Sequence, residues 1–339
     1  MKFDFVIGNP PYQEETEGTS DKPVYNCFMD AAYSISDKVE LITPARFLFD
    51  AGKTPKAWNE KMLNDTHFKV LCYEQDSSKV FRNTDIKGGV AISFRDGGKD
   101  FGAIGAFSSF EELNSILTKV KPLLGQKTLD DIIIQQNRWN LEVLYEDHPE
   151  YKNRIGSNGT EKRLTTPIFS SLEIFKDNKD NDTDLAILGL VKNKRFYRYI
   201  EKKYIENKHE NLYCYKVIIP ASNGSGAIGE VLSTPLVGEP LVGYTQSFIG
   251  IGAFSTEAEA NAALKYVKTK FARTMLGILK ITQHNHKGTW KYVPLQDFTP
   301  SSDIDWSVSI PEIDRQLYAK YGLDENEIAF IESHVKEMV

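Results

Sequence analysis

The stretch Phe3-Asp4-Phe5-Val6-Ile7-Gly8-Asn9-Pro10-Pro11-Tyr12 decides how this chain is read. Its first half is a short apolar run of the kind that forms a buried strand, and Gly8 followed by two prolines ends it abruptly. Proline fixes φ, lacks an N–H and pushes the preceding residue toward extended backbone, so the turn at Asn9-Pro10-Pro11 is stiff. A stiff turn can aim two acceptors, the Asn9 side-chain oxygen and the Pro10 carbonyl, at the two hydrogens of one exocyclic amine. Tyr12 then offers a flat face to a planar ring. With both hydrogens held, the nitrogen can become tetrahedral and more nucleophilic toward a methyl sulfonium, and no general base with a shifted pKa is required. A strand closed by a proline turn is also an ordinary structural device; the strand context is what gives the four residues weight.

That strand and turn resemble the catalytic motif of amino-group methyltransferases that use S-adenosylmethionine. In the members that methylate adenine N6 in DNA, the target base is flipped out of the duplex, stacked on the aromatic residue and held by its edge. The resemblance implies catalytic roles for Asn9, Pro10, Pro11 and Tyr12, with Asn9 and Pro10 bordering the transferred methyl. It also implies S-adenosylmethionine as cofactor, and no metal.

Working outward, a polar stretch from Glu14 to Lys22 reads as a loop. Residues Val24 to Ser36 place Tyr25, Phe28, Met29, Ala32 and Tyr33 at helical spacing. Val39 to Pro44 is a strand, Trp58 to Asn64 lies in a helix, and Phe68 to Tyr73 is a third strand. Val80-Phe81 is a turn, and Ile86 to Phe94 a fourth strand. This β-α-β-α-β-β order predicts an α/β fold: the second half only of a doubly wound methyltransferase sheet, followed by a mixed α+β domain.

The methyl donor is the difficulty. In the order usual for the adenine-specific group, a glycine-rich donor loop and an acidic ribose ligand precede the catalytic strand, and here only Met1 and Lys2 do. The donor-binding half is therefore expected to be absent, supplied by a missing N-terminal region or a separate subunit, and the chain alone to be inactive. Two later glycine runs compete for the role. Asn223-Gly224-Ser225-Gly226-Ala227-Ile228-Gly229 matches G-x-G-x-x-G, yet Pro235, Gly238 and Pro240 permit no helix after it, which phosphate or donor binding would need. Phe248-Ile249-Gly250-Ile251-Gly252 does precede a helix, Thr256 to Phe271, but the strand expected next, Met275 to Ile281, ends in Thr282-Gln283-His284 rather than an acid. Close packing of strand on helix explains it better.

At 339 residues and 41% hydrophobic content the chain can bury a sizeable core, with about two domains as the length prior. Cys27, Cys72 and Cys214 have no metal spacing and point to a reducing cytoplasm; no signal peptide or membrane-length apolar run is present. The net charge of −6 is unevenly spread: −7 over residues 1–185, +7 over 186–300 and −6 over 301–339. A basic middle suits a surface that tracks phosphates, or simply a solvated basic face. The expected organisation is a catalytic half over residues 1–124, a DNA-binding target-recognition domain over 125–300, and an acidic helical tail over 301–339, with helices near Ile310 to Tyr321 and from Asp324.

In the second half, Arg195-Phe196-Tyr197-Arg198-Tyr199-Ile200, Tyr215 to Pro220, Asn223-Gly224-Ser225-Gly226, Tyr266 to Phe271, Lys280 to His284, Trp290 to Phe298, and Ile313 to Tyr318 with Tyr321-Gly322-Leu323 resemble the target-recognition region of large bacterial restriction-modification methylases. The resemblance spans nearly the whole chain and implies double-stranded DNA as partner. Arg195, Arg198, Lys216, Asn223, Lys270, Arg273, Lys280, Gln283, His284, Trp290 and Lys291 are the expected DNA contacts. Asp184 with Glu201-Lys202-Lys203 imitates a metal nuclease, but Glu201 falls in a helix-like stretch, Phe196 to Tyr204, and solvated charge explains it better. His284-Asn285-His286 has no third ligand nearby. A DNA-recognition subunit without chemistry, and a methyltransferase of protein glutamine or RNA, are the alternatives.

Overall fold

The computed structural model describes all residues except 1, 15–21, 50–52, 83, 85, 87, 122–126, 157–158, 225–226, 281–282 and 339. Most of the expected loop after Glu14 lies outside the described residues, as do Ser225 and Gly226. The chain divides into two compact units, residues 1–114 and 115–339.

In the first unit the apolar run becomes β1 (Val6–Gly8), followed by a small hairpin of β2 (Gln13–Glu14) and β3 (Lys22–Pro23). Then come α1 (Tyr25–Ile35), β4 (Lys38–Pro44), α2 (Lys56–Asn64), β5 (Phe68–Glu74) and β6 (Val90–Asp96). They form one sheet in the order β1-β4-β6-β5. β1 and β4 are parallel, which requires a crossover, and α1 provides it; β6 runs antiparallel to both β4 and β5. α3 (Glu111–Val120) carries the chain out of this unit.

One face of the sheet is packed. Tyr25, Met29 and Ala32 of α1 and Trp58, Met62 and Leu63 of α2 bury Val39, Leu41, Phe68 and Ala91, with Phe47 and Leu48 from the turn after β4. The pleat sends alternate residues to the other face. There Ile7, Glu40, Phe94 and Lys69 make one cross-strand row. Ile7 is 71% exposed, and Phe3, Phe5 and Leu71 are exposed too, although Phe5 stacks on Phe94 at 6.2 Å. Among the described residues β1 is also the sheet's edge. Its free backbone groups and its apolar side chains are thus open together, a combination uncommon on a finished surface.

The second unit opens with β7 (Ile133–Ile134), α4 (Leu141–Asp147), α5 (Tyr151–Ile155) and α6 (Ile168–Ser171). β8 (Leu185–Val191) and β9 (Lys194–Ile200) form an antiparallel ribbon. β10 (Tyr215–Pro220), β11 (Leu236–Gly238), β12 (Val242–Tyr244) and β13 (Phe248–Phe254) follow. They make two sheets, β11-β10-β13-β7 and β12-β8-β9. α7 (Glu257–Lys268) and α8 (Lys270–Gly277) come next, then α9 (Ile310–Lys320) and α10 (Glu325–His334). The acidic tail belongs to this unit. Asp314 of α9 accepts hydrogen bonds from the Lys270 and Phe271 N–H groups at the start of α8, and Lys119 pairs with Asp324 and Glu327 of α10.

Three expectations about local structure fail. Residues 196–204 are not one helix: β9 takes residues 196–200, because a two-residue turn at Lys192-Asn193 pairs this aromatic-rich segment with β8, and only Lys202–Tyr204 form a short 3-10 turn, with Glu201 outside it. The helix from Thr256 is two helices, broken at Thr269, whose hydroxyl accepts the Ala272 N–H and caps the second. Residues 275–277, expected in a strand, close that second helix.

Candidate functional site

Asn9-Pro10-Pro11-Tyr12 leaves the carboxyl end of β1, where Gly8 pairs with Leu41 of the parallel neighbour. The turn is tied back by the Val24 N–H donating to the Tyr12 carbonyl, 3.2 Å, which anchors the start of α1 beside it. All four motif residues line one cleft of about 910 Å³ with Tyr25, Pro44, Arg46, Lys53 and Phe81, so the motif, the ends of β1 and β4 and the start of α1 converge on a single space. Parallel strands that end on one side leave such a crevice at their carboxyl ends.

Asn9 is exposed, and no hydrogen bond to its side chain is made among the described residues. The Tyr12 ring is half-buried and its hydroxyl has no hydrogen-bond partner there. Burial pushes the Tyr12 pKa up, and the nearby Asn9 amide offsets this in part without reaching hydrogen-bond geometry. At neutral pH the phenol is therefore neutral, and its ring is an apolar face rather than an anion. Tyr25, almost fully buried below, is pushed up to about 12 by the same cause, with Thr54 and Arg46 pulling it back.

Phe81 stands edge-on to Tyr12, ring centres 6.3 Å apart and planes at 66°. It went unmarked in the sequence because it sits among polar residues after β5; an aromatic in an otherwise polar turn was the available signal. Arg46 and Lys53 also line the cleft and supply positive charge beside an otherwise uncharged pocket. The arrangement can hold a flat amine-bearing ring: side-chain and backbone acceptors at one end, aromatic faces along it, cations at the margin.

Residues 1–81 match the Eco57I restriction-modification methylase family. The match covers β1, the motif and Phe81. An uncharacterized adenine-specific methylase of Mycoplasma pneumoniae is 30% identical over 95 residues, 26% of this chain and 22% of that protein. Among solved structures, the type IIG restriction endonuclease BpuSI is 11% identical with a TM-score of 0.32, over 93% of this chain and 48% of that one. The type IIL restriction-modification enzyme MmeI, in complex with DNA, is 10% identical with a TM-score of 0.34, over 98% and 56%. The chain thus spans about a fifth to a little over half the length of these proteins.

The residues expected to contact DNA are divided by the structure. Lys216, Asn223, Arg273, Lys280 and Trp290 are interior. Lys216 Nζ donates to the Cys214 and Glu239 carbonyls at 3.0 and 2.7 Å, and burial lowers its pKa to about 8. Arg273 donates to the Gly229 and Lys336 carbonyls, Lys280 to the Asn223 carbonyl and Glu230, and Trp290 to Asn285. Groups so enclosed cannot meet a phosphate, and they are corrected here from DNA contacts to supports of the fold. Arg198 pairs with Asp177 and Lys270 with Glu332 at the surface. Arg195 is half-buried, donating to the Ser233 and Thr234 carbonyls. Gln283, His284 and Lys291 are exposed.

The same contacts decide the glycine runs. On either side of residues 225–226, Arg273 holds the Gly229 carbonyl and Lys280 the Asn223 carbonyl, and no helix follows before β11 among the described residues. Gly250 lies within an antiparallel strand, and a Cβ there would stand 2.3 Å from the Tyr244 hydroxyl. Neither run fits a donor loop. Among the described residues no group of three or more His, Cys, Asp or Glu could hold a metal, and no helix is long and apolar enough to cross a membrane.

Proposed function

We propose that the chain is part of a DNA methyltransferase of a restriction-modification system, acting on adenine N6. The observation that carries this reading is the Asn9-Pro10-Pro11-Tyr12 turn, closing a parallel strand and opening on a cleft with its polar acceptors unpartnered, inside the segment that matches the methylase family. S-adenosylmethionine supplies such enzymes with an electrophilic methyl group. This chain's residues do the rest on the amine side: Asn9 and Pro10 accept the two N6 hydrogens, and Tyr12 stacks on a flipped adenine with Phe81 across from it. A neutral amine so held presents its lone pair, and its surplus proton leaves to solvent after transfer.

The sheet order β1-β4-β6-β5 supports the second half of a doubly wound sheet, in which β1 would normally have another strand beside it. The free edge of β1 and the exposed face of Phe3, Phe5 and Ile7 are where a donor-binding portion would pair and pack. Because no described glycine loop fits the donor, the chain by itself should bind S-adenosylmethionine weakly; micromolar binding by calorimetry would overturn that point.

The activity is tested in the host cell, where whatever completes the site is present. Replacing the gene with an Asn9→Ala copy should erase one class of N6-methyladenine positions from the genome, read by single-molecule sequencing. An unchanged methylation pattern sinks the proposal, and methylation lost from protein or RNA instead would move it to another substrate.

A further inference from the structure

We propose that the β8–β9 ribbon of the second unit, with the amide-lined cleft beside it, reads the base edges of duplex DNA through Gln135, Gln136, Arg163, Asn193 and Gln246. This rests on the DNA-methylase reading above and deepens it by locating the surface that selects the sequence; none of these five residues was among the contacts expected from sequence.

The ribbon is built for projection. Its strands pair from Leu185↔Ile200 to Val191↔Lys194, so only Lys192 and Asn193 form the turn, both in left-handed backbone with φ of 49° and 61°. Such a two-residue turn continues the twist of the strands and makes a narrow tip. Lys192, Asn193 and Lys194 are all exposed there. A two-stranded ribbon is one of the few shapes the major groove admits.

Beside the tip lies a cleft of about 710 Å³, which Asn193 shares with Gln135 and Gln136 after β7, Arg163, and Gln246 between β12 and β13. No side chain of these five makes a hydrogen bond or ion pair among the described residues. Gln136 is the telling one, because the residue is only 7% exposed while its amide makes no protein hydrogen bond among the described residues and lines the cleft. Its body is fixed by packing while its polar end is left to water in the cleft, so a ligand that bonds the amide replaces water at a group already held in place. Arg195, held by two carbonyls over the Phe248 ring, serves as a fixed wall.

The lining names the ligand class. Asn and Gln amides can bond adenine N6 and N7 together, and a guanidinium can bond guanine O6 and N7. No carboxylate lines the cleft, and one free guanidinium among four amides is too little charge for a groove that only tracks phosphates. Amides in this number favour recognition of A·T-containing sites.

The test is selection of duplexes from a randomised pool by the full chain, followed by fluorescence anisotropy on the selected sequence at fixed salt. The wild-type chain should select a motif. Gln246→Ala and Asn193→Ala should each relax one or two positions of it and weaken binding to the selected duplex roughly ten-fold, leaving random duplex nearly unaffected. Gln136→Leu separates recognition from folding: it should hold thermal stability while losing preference, because it removes the amide without removing a protein hydrogen bond. Unchanged preference in all three variants overturns the cleft while leaving DNA binding intact. A wild-type chain that prefers single strands, or binds no duplex, overturns it together with the DNA reading. A motif retained by Asn9→Ala, with genomic methylation unaffected by that variant, would remove the catalytic reading and leave the cleft standing.

Discussion

Asn9 follows β1 and opens a turn of prolines; Asn223 follows β10 and precedes a glycine-rich run in the sequence. The Asn9 amide faces a cleft with no hydrogen bond among the described residues, whereas every polar atom of Asn223 is engaged. Its Nδ2 donates to the Val231 carbonyl at 2.7 Å, its Oδ1 accepts the Ser233 N–H at 2.6 Å, and its carbonyl accepts Lys280 at 2.8 Å. Two residues of one type, in similar settings along the chain, therefore divide by satisfaction: one is available for a ligand and the other closes a loop. The sequence displays donors and acceptors, and only the packed chain displays which of them are still open.

Substituting both residues breaks the comparison most directly. Asn9→Ala should lower methyl transfer by roughly 10²–10³-fold, the cost of losing one oriented hydrogen-bonding group at a reacting centre. Its melting temperature should stay close to the wild-type value, because only a weak interaction with the Tyr12 hydroxyl is lost. Asn223→Ala should do the reverse, costing about 2–4 kcal/mol of stability by stranding the Val231 carbonyl and the Ser233 N–H. Equal loss of stability in the two variants, in thermal or urea melts, would erase the distinction.

Buried cations sharpen it next. Lys216 is fully enclosed, with two carbonyls as acceptors, an arrangement that a neutral amine satisfies with its two hydrogens. Its pKa falls from 10.5 to about 8 on folding, burial being the main cause. Below pH 8 both folded and unfolded chains carry the charge, and the folded one bears the cost of enclosing it. Between about 8 and 10.5 the unfolded chain holds the proton and the folded chain does not, so unfolding takes up a proton and stability rises with pH. The gain is up to about 3 kcal/mol. Lys216→Met should flatten this slope in urea melts run from pH 7.5 to 10.5, and a slope that survives would place the titration elsewhere.

The first unit was legible because its elements follow simple periods. The helical spacing of Tyr25, Met29 and Ala32 becomes the buried face of α1, and Val39 and Leu41 become the buried face of β4. The second unit was less so. Residues 196–204 carry Phe196, Tyr199 and Tyr204 at spacings a helix would accept, and the deciding feature is the left-handed Lys192-Asn193 turn, which no apolar pattern announces. Lys216, Arg273 and Lys280 read as phosphate contacts because charge is visible in a sequence and burial is not. The motif itself was readable since stiffness is written in its prolines; Phe81, brought beside it by the fold, was not.

Glycines give a smaller contrast of the same kind. A Cβ on Gly250 would stand 2.3 Å from the Tyr244 hydroxyl and 2.7 Å from Asn211 Nδ2, so Gly250→Ala should cost about 1–3 kcal/mol as those buried partners are forced apart. Gly8, at the end of the edge strand, meets nothing closer than Leu41 Cδ2 at 3.8 Å. Gly8→Ala should leave stability within about 0.5 kcal/mol. If it lowers methylation while sparing the melt, the space above Gly8 is needed by a ligand rather than by the fold.

The finest cut falls within one side chain. The Tyr12 hydroxyl is buried without a partner, so it stabilises nothing in the free chain, whereas the ring faces Phe81 across the cleft. Tyr12→Phe should leave stability unchanged within about 0.5 kcal/mol and methylation within a few-fold, and Tyr12→Ala should weaken it by the loss of a base–aromatic stack, about 1–3 kcal/mol. If Tyr12→Phe proves as damaging as Tyr12→Ala, the hydroxyl and not the ring does the recognising. Asn9 and Tyr12 would then form one hydrogen-bonding pair closed by the substrate, and the orphaned hydroxyl would belong with the Asn9 amide among the open polar groups of the site.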